Sequence, residues 1–184
     1  MNINKKIMSL WIAFISLSVL LVIYNFIPAT IMWYDSIWQY KAKDFDTYKS
    51  DFQIVADLAY REYNKGQMKS SYINVEENPD GTVNLNYENI NTEDFVDITM
   101  SSKEKNSLEK IVANAFRDGD LAYLSLIRTY ENQVEFEIEN GHYSLIYRRD
   151  KQKPKFLNKL SYSKGHFKLK KISDHWYHAR FVED

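Results

Sequence analysis

"QVEFEIENGHYSLIYR", residues 133–148, alternates apolar and polar residues on both sides of Asn140-Gly141. Asn-Gly is the favoured pair for a two-residue type I′ turn, whose twist matches that of the strands it joins. A turn centred there sets the register, because strand side chains repeat every two residues and a one-residue slip would turn each of them over. Ile138 then faces Tyr143, Phe136 faces Leu145 and Val134 faces Tyr147, all on one apolar side. The opposite side pairs Glu139 with His142, Glu137 with Ser144, Glu135 with Ile146 and Gln133 with Arg148, and reads as a solvated face. An antiparallel sheet is the frame.

The same period extends outward in both directions. Ile73, Val75, Val83, Leu85 and Tyr87 flank Pro79-Asp80-Gly81, a second hairpin signal. Strands are expected to continue over residues 155–182, with turns near Lys164-Gly165 and Ser173-Asp174. Two segments switch to the helical period instead. In residues 44–65, Phe45, Tyr48, Phe52, Val55, Ala59 and Tyr63 recur at steps of three and four, and Gly66 is placed to end the helix. In residues 101–117, Ser101 and Glu104 form a capping-box pattern ahead of Leu108, Ile111, Val112, Ala115 and Phe116, with Gly119 closing it. The expected class is α+β, with two main helices packed on an antiparallel sheet of hairpins.

The N-terminal part follows different chemistry. Residues 7–27 form a run of 21 without a charge, interrupted only by Ser9, Ser16, Ser18 and Asn25 among strongly polar residues. As a helix this run is about 31 Å long, matching a hydrocarbon core of roughly 30 Å. It exceeds a signal-peptide core, and the candidate cleavage point after Ala29 would put bulky Ile27 where a small residue is needed. Trp33, Tyr34, Trp38 and Tyr40 follow Pro28, and rings of this kind suit the bilayer interface. Lys5 and Lys6 abut the run directly, whereas Lys41 and Lys43 lie farther from its other end. The positive-inside rule then favours a cytoplasmic N-terminus. The expected organisation is a cytoplasmic tail (1–6), a transmembrane helix (7–27), an interfacial aromatic segment (28–43) and an exported α+β domain (44–184). The chain is expected to be a single-pass protein of the cell membrane, meeting lipid through the N-terminal helix.

Composition restricts the chemistry. The 184 residues contain no cysteine, which removes disulfides, thiolate metal sites and thiol nucleophiles. All four histidines lie between His142 and His178, and a strand would send His175 and His178 to opposite faces. No G-x-S-x-G or S-x-x-K pattern occurs, and none of the five glycines builds a phosphate loop. Glu135, Glu137 and Glu139 line one strand face, but a solvated row does not raise one carboxyl selectively, as acid–base work requires. No catalytic, cofactor-binding or metal residue is assigned, and no cofactor is expected.

Charge is polarised along a chain whose net charge is only −1. Residues 148–171 carry ten bases against one acid, and residues 76–139 carry fifteen acids against five bases. The two blocks could neutralise each other, or the basic one could meet an anionic partner. In the second case Arg148, Arg149, Lys151, Lys153, Lys155, Lys168, Lys170 and Lys171 form the expected surface. Its partner would be a protein or an anionic envelope polymer, and nucleic acid is not expected outside a membrane. The order of short inner tail, one span and exported α+β domain resembles the layout of bitopic accessory subunits of bacterial secretion and conjugation machines. That resemblance is architectural, rests on no motif and assigns no residue a role. The leading expectation is an extracytoplasmic binding or assembly module at the cell envelope; the alternatives are a wall-directed hydrolase and an immunity or inhibitor protein.

Overall fold

In a computed structural model, which describes residues 41–138, 142–155 and 165–183, both helical periods and both hairpins are realised. Helix α1 (Phe45–Tyr63) precedes β1 (Tyr72–Glu77), β2 (Val83–Glu88) and β3 (Phe95–Asp97). Helix α2 (Ser102–Lys110) follows, and a two-residue ribbon of β4 (Arg117–Asp118) and β5 (Leu121–Ala122) leads on from it. The chain then runs through β6 (Leu124–Tyr130), β7 (Gln133–Ile138), β8 (Tyr143–Arg148), β9 (Gly165–Lys171) and β10 (Trp176–Glu183). Two compact units divide the chain, residues 1–39 and 40–184, and every described residue belongs to the second.

Eight strands form one sheet in the order β3-β2-β1-β6-β7-β8-β10-β9, and every neighbouring pair is antiparallel. The β7–β8 register sets Gln133 against Arg148, Val134 against Tyr147, Glu135 against Ile146, Phe136 against Leu145 and Glu137 against Ser144. That is the register dictated by the Asn140-Gly141 turn, which itself lies outside the described residues. Strand β6 joins the two hairpins by pairing with both β1 and β7. Sequence periodicity alone gives no strand at residues 95–97 or 124–130. A bulge between Leu124 and Leu126 breaks the alternation just where β6 begins. Residues 151–155, up to the start of the expected strand run at Lys155, have no regular structure, and residues 156–164 lie outside the described residues.

The helices occupy one side of the sheet. Ser101 caps α2 by accepting from Glu104 N–H, while Glu104 returns a carboxylate to Ser101 N–H at 2.7 Å. The helix then widens into a π-turn over Ile111–Ala115, with Phe116 N–H donating to Ile111 O at 2.9 Å. Phe52 of α1 is fully buried at the centre of this side. Its ring meets Phe116, Phe136 and Trp176 at centroid distances of 5.8, 5.4 and 5.9 Å, within the range of favourable aromatic packing. Val83, Leu85, Ile73, Ile127, Val134 and Leu145 complete the same core. Residues just ahead of α1 are also tied in: Ala42 is buried, and Lys43 N–H donates to Ala115 O at 2.8 Å.

Candidate functional site

The side of the sheet away from the helices is the first departure from expectation. Glu135 and Glu137 were expected on a solvated face, yet they are 5% and 8% exposed. Gln133, Arg128 and Arg148 beside them are buried as well. The reason is lateral: long polar side chains from β6, β7 and β8 reach across neighbouring strands and satisfy each other. Arg128 Nη2 donates to Glu137 at 2.9 Å and Arg128 Nε lies 2.7 Å from the other carboxylate oxygen, a close charge-assisted pair. The same guanidinium lies 4.3 Å from the centre of the Tyr72 ring. Gln133 Nε2 donates to Glu135 and to Lys155 O, and Gln133 Oε1 accepts from Arg148 Nη1 at 3.0 Å. Arg148 ends the chain of contacts by donating to Asp150 at 3.0 and 2.6 Å.

Glu135 is the odd member of this network. Burial pushes its carboxyl up to about 8, and the neighbouring Glu137 adds to the effect. Two carboxyls that share a hydrogen bond cannot both ionise cheaply, so Glu135 keeps its proton at neutral pH, while Glu137 is the one in contact with Arg128. A solvated row would not raise one carboxyl selectively, but this row is buried, and Glu135 is raised. Two depressions adjoin this network, one at Gln133 and Arg148 and one at Arg128. One depression of about 470 Å³ is lined by Tyr63, Tyr130, Gln133, Arg148, Asp150 and Lys155 among others. A second, of about 380 Å³, is lined by Tyr72, Asn74, Glu88, Phe95, Leu126 and Arg128 among others. Glu135 and Glu137 lie between the two and line neither.

The basic residues sort into three groups. Arg148 is buried and bound to Asp150 and Gln133, so it leaves the exposed surface to which sequence had assigned it. Arg149 lies 5.3 Å from the centre of the Tyr60 ring, and Lys171 is 3.7 Å from Asp174. Lys151, Lys153, Lys155, Lys168 and Lys170 are exposed, and none has an ion-pair partner among the described residues. Strand register sets Lys171, Tyr177 and Ile146 in one row, two residues from Arg148. The β8 and β9 parts of the basic block therefore meet at one end of the sheet.

Among the described residues, seven acids of residues 76–139 are paired elsewhere. Their ion pairs run from Glu77 to Arg117, Glu88 and Glu93 to Lys69, Glu104 to Arg61, Glu109 to Lys105, Asp118 to Lys43 and Glu137 to Arg128. No base of residues 148–171 takes part in them. Among the described residues the two blocks do not neutralise each other.

His175 lies just outside β10, in the turn before it, with its ring 5.6 Å from that of Tyr147, so the strand period does not set its side. His178 faces the helix side, where its Nδ1 lies 2.5 Å from the Tyr143 hydroxyl, and burial helped by Lys170, Lys41 and Arg180 holds it down to about 4. His175 Nδ1 contacts Arg148 O at 2.7 Å. Among the described residues no three His, Asp or Glu side chains are grouped to hold a metal. Among the described residues, too, no helix is long and apolar enough to cross a membrane, and residues 7–27 with Trp33, Tyr34, Trp38 and Tyr40 lie outside them. Comparison with known protein families, characterised proteins and solved structures finds no match for this chain.

Proposed function

We propose that this protein is a membrane-tethered binding or assembly module whose domain works on the outer side of the cell membrane and presents a basic surface to an anionic partner. The observation that carries the reading is the disposition of charge. The ion-paired acids of residues 76–139 take their partners from bases outside residues 148–171, and Lys151, Lys153, Lys155, Lys168 and Lys170 have no ion-pair partner among the described residues, so these lysines keep their charge for a partner. The uncharged run 7–27 and the aromatic segment after it support the tether.

The test uses the full chain reconstituted in phosphatidylcholine vesicles and a soluble polyanion, polyglutamate, as probe. Binding is expected at low salt, with loss at about 0.5 M salt, where the screening length falls to a few ångströms. Reversal of Lys168, Lys170 and Lys171 to Glu should abolish it in a domain that still unfolds cooperatively. Unchanged binding by that variant would sink the reading. The hydrolase alternative has one observation on its side, the buried and raised carboxyl of Glu135 beside Glu137. It requires the Glu135→Gln variant to lose a glycan-cleaving activity that the parent chain displays.

A further inference from the structure

The two edges of the sheet differ in a way that the fold does not require. At one edge, β9 pairs with β10 without interruption from Gly165 to Lys171, and its outer side is unpartnered among the described residues. This edge is basic: Lys168 and Lys170 are exposed and unpaired among the described residues, while Phe167 and Leu169 are only half covered. At the other edge, β3 is short and acidic. Asp94 and Asp97 are exposed without ion-pair partners among the described residues, and Phe95 between them is 67% exposed.

Strand direction makes these edges compatible. Eight strands alternate strictly, so β3 and β9 run in opposite directions. A second copy placed beside the first in the same orientation brings its β3 antiparallel to the first copy's β9. Its helices then lie on the same side of the joined sheet. No flip is needed, which suits chains tethered in one membrane plane, where confinement raises the effective concentration of weak lateral contacts. We infer that β9 of one copy pairs with β3 of another, head to tail, and that the acidic edge of this same chain is an anionic partner of the Lys168–Lys170 surface.

The chemistry selects a register. With Phe95 opposite Leu169, Asp94 meets Lys170, Val96 meets Lys168, and the Phe95 ring reaches the half-covered Leu169 and Phe167. Cross-strand neighbours of this kind stabilise pairing. Lysine on an edge and a very short edge strand are also the usual guards against sheet growth. Edge lysines repel a basic strand and lose hydration without compensation against a neutral one, however, whereas an acidic edge meets them favourably. Phe95 is an exposed apolar ring that no guard explains. The interface is heterologous, so the assembly can continue beyond two copies.

This inference rests on the proposed binding role of the β9 surface, and its test separates the two. The chain has no cysteine, so an engineered pair reports without background. Full-length Phe95→Cys and Leu169→Cys chains, each in phosphatidylcholine vesicles, are oxidised alone and then co-reconstituted. Disulfide dimers are expected only in the mixture, and a ladder of higher species is expected when one chain carries both substitutions. A second pair at exposed positions, Asp94→Cys with Lys170→Cys, should behave alike and guards against a folding defect at Leu169. In a chain carrying the Phe95 and Leu169 cysteines, Lys170→Asp should abolish the ladder, and adding Asp94→Lys should restore it. Crosslinking of the Leu169→Cys chain by itself would mean a symmetric β9–β9 contact and overturn the proposal. No crosslink from either pair, with polyglutamate binding retained, would overturn edge pairing and leave the basic-surface reading standing. Loss of polyglutamate binding by the parent chain would remove both.

Discussion

On the helix side of β7, Val134, Phe136 and Ile138 are buried by rings and aliphatic side chains from α1, β8 and β10. On the other side of the same strand, Gln133 and Glu135 are 2% and 5% exposed, nearly as deep, yet they are held by hydrogen bonds and an ion-pair network. The apolar side tolerates loss of a contact by partial collapse. The polar side has no such slack, since a buried charge that loses its partner keeps its desolvation cost. Burial is thus one outcome reached by two kinds of physics, with different weaknesses.

The largest effects should come from cutting each side at its centre. Phe52→Ala opens a cavity among Phe116, Phe136 and Trp176 and should cost about 3–5 kcal/mol. Arg128→Ala should cost a similar amount, about 3–5 kcal/mol, because it strands the Glu137 carboxylate. The comparison breaks or holds on the double change: Arg128→Met with Glu137→Leu should recover most of the loss, whereas no second change at Glu137 repairs Phe52→Ala. Urea unfolding of residues 40–184 measures all of these.

Acidity sharpens the contrast, because the two sides titrate with opposite sign. Glu135 has a folded value near 8 against 4.5 unperturbed, so its contribution is complete below about 4.5 and is lost as pH rises through 8. His178 has a folded value near 4 against 6.5, so its contribution is complete above 6.5 and is lost as pH falls toward 4. Stability should decline between pH 6.5 and 8 because of Glu135, and Glu135→Gln should flatten that limb. His178→Gln should leave that limb alone and flatten the acid one. A limb unchanged in the Glu135→Gln protein would place the proton elsewhere.

The smallest effects belong to the surface. Lys168→Glu and Lys170→Glu should each change stability by less than about 0.5 kcal/mol, which makes them suitable for binding tests. A thermal shift larger than this range would mean that these lysines are part of the folded network.

Most of the local structure was legible in the sequence. Asn140-Gly141 prescribed the β7–β8 pairing, Pro79-Asp80-Gly81 the first hairpin, and Ser101 with Glu104 the start of α2. Each rests on interactions between residues close in the chain. Strand β6 was hidden because its bulge at Leu124 interrupts the period, and the polar network was hidden with it. Arg128 and Glu137 are nine residues apart in the chain, but their contact depends on β6 lying beside β7.

The sequence by itself determined which side chains share a face of each strand, since that follows from a two-residue repeat and a turn of set length. It also determined that the chain carries an apolar run of membrane-spanning length and a divided charge. Only the tertiary structure decided that the face bearing Glu135 and Glu137 is buried, and that the acidic block finds its partners outside the basic one. Alternation says that two faces differ; it cannot say what covers either. Coverage depends on strands and side chains brought together from distant parts of the chain, where pairing free energy rather than local geometry makes the choice.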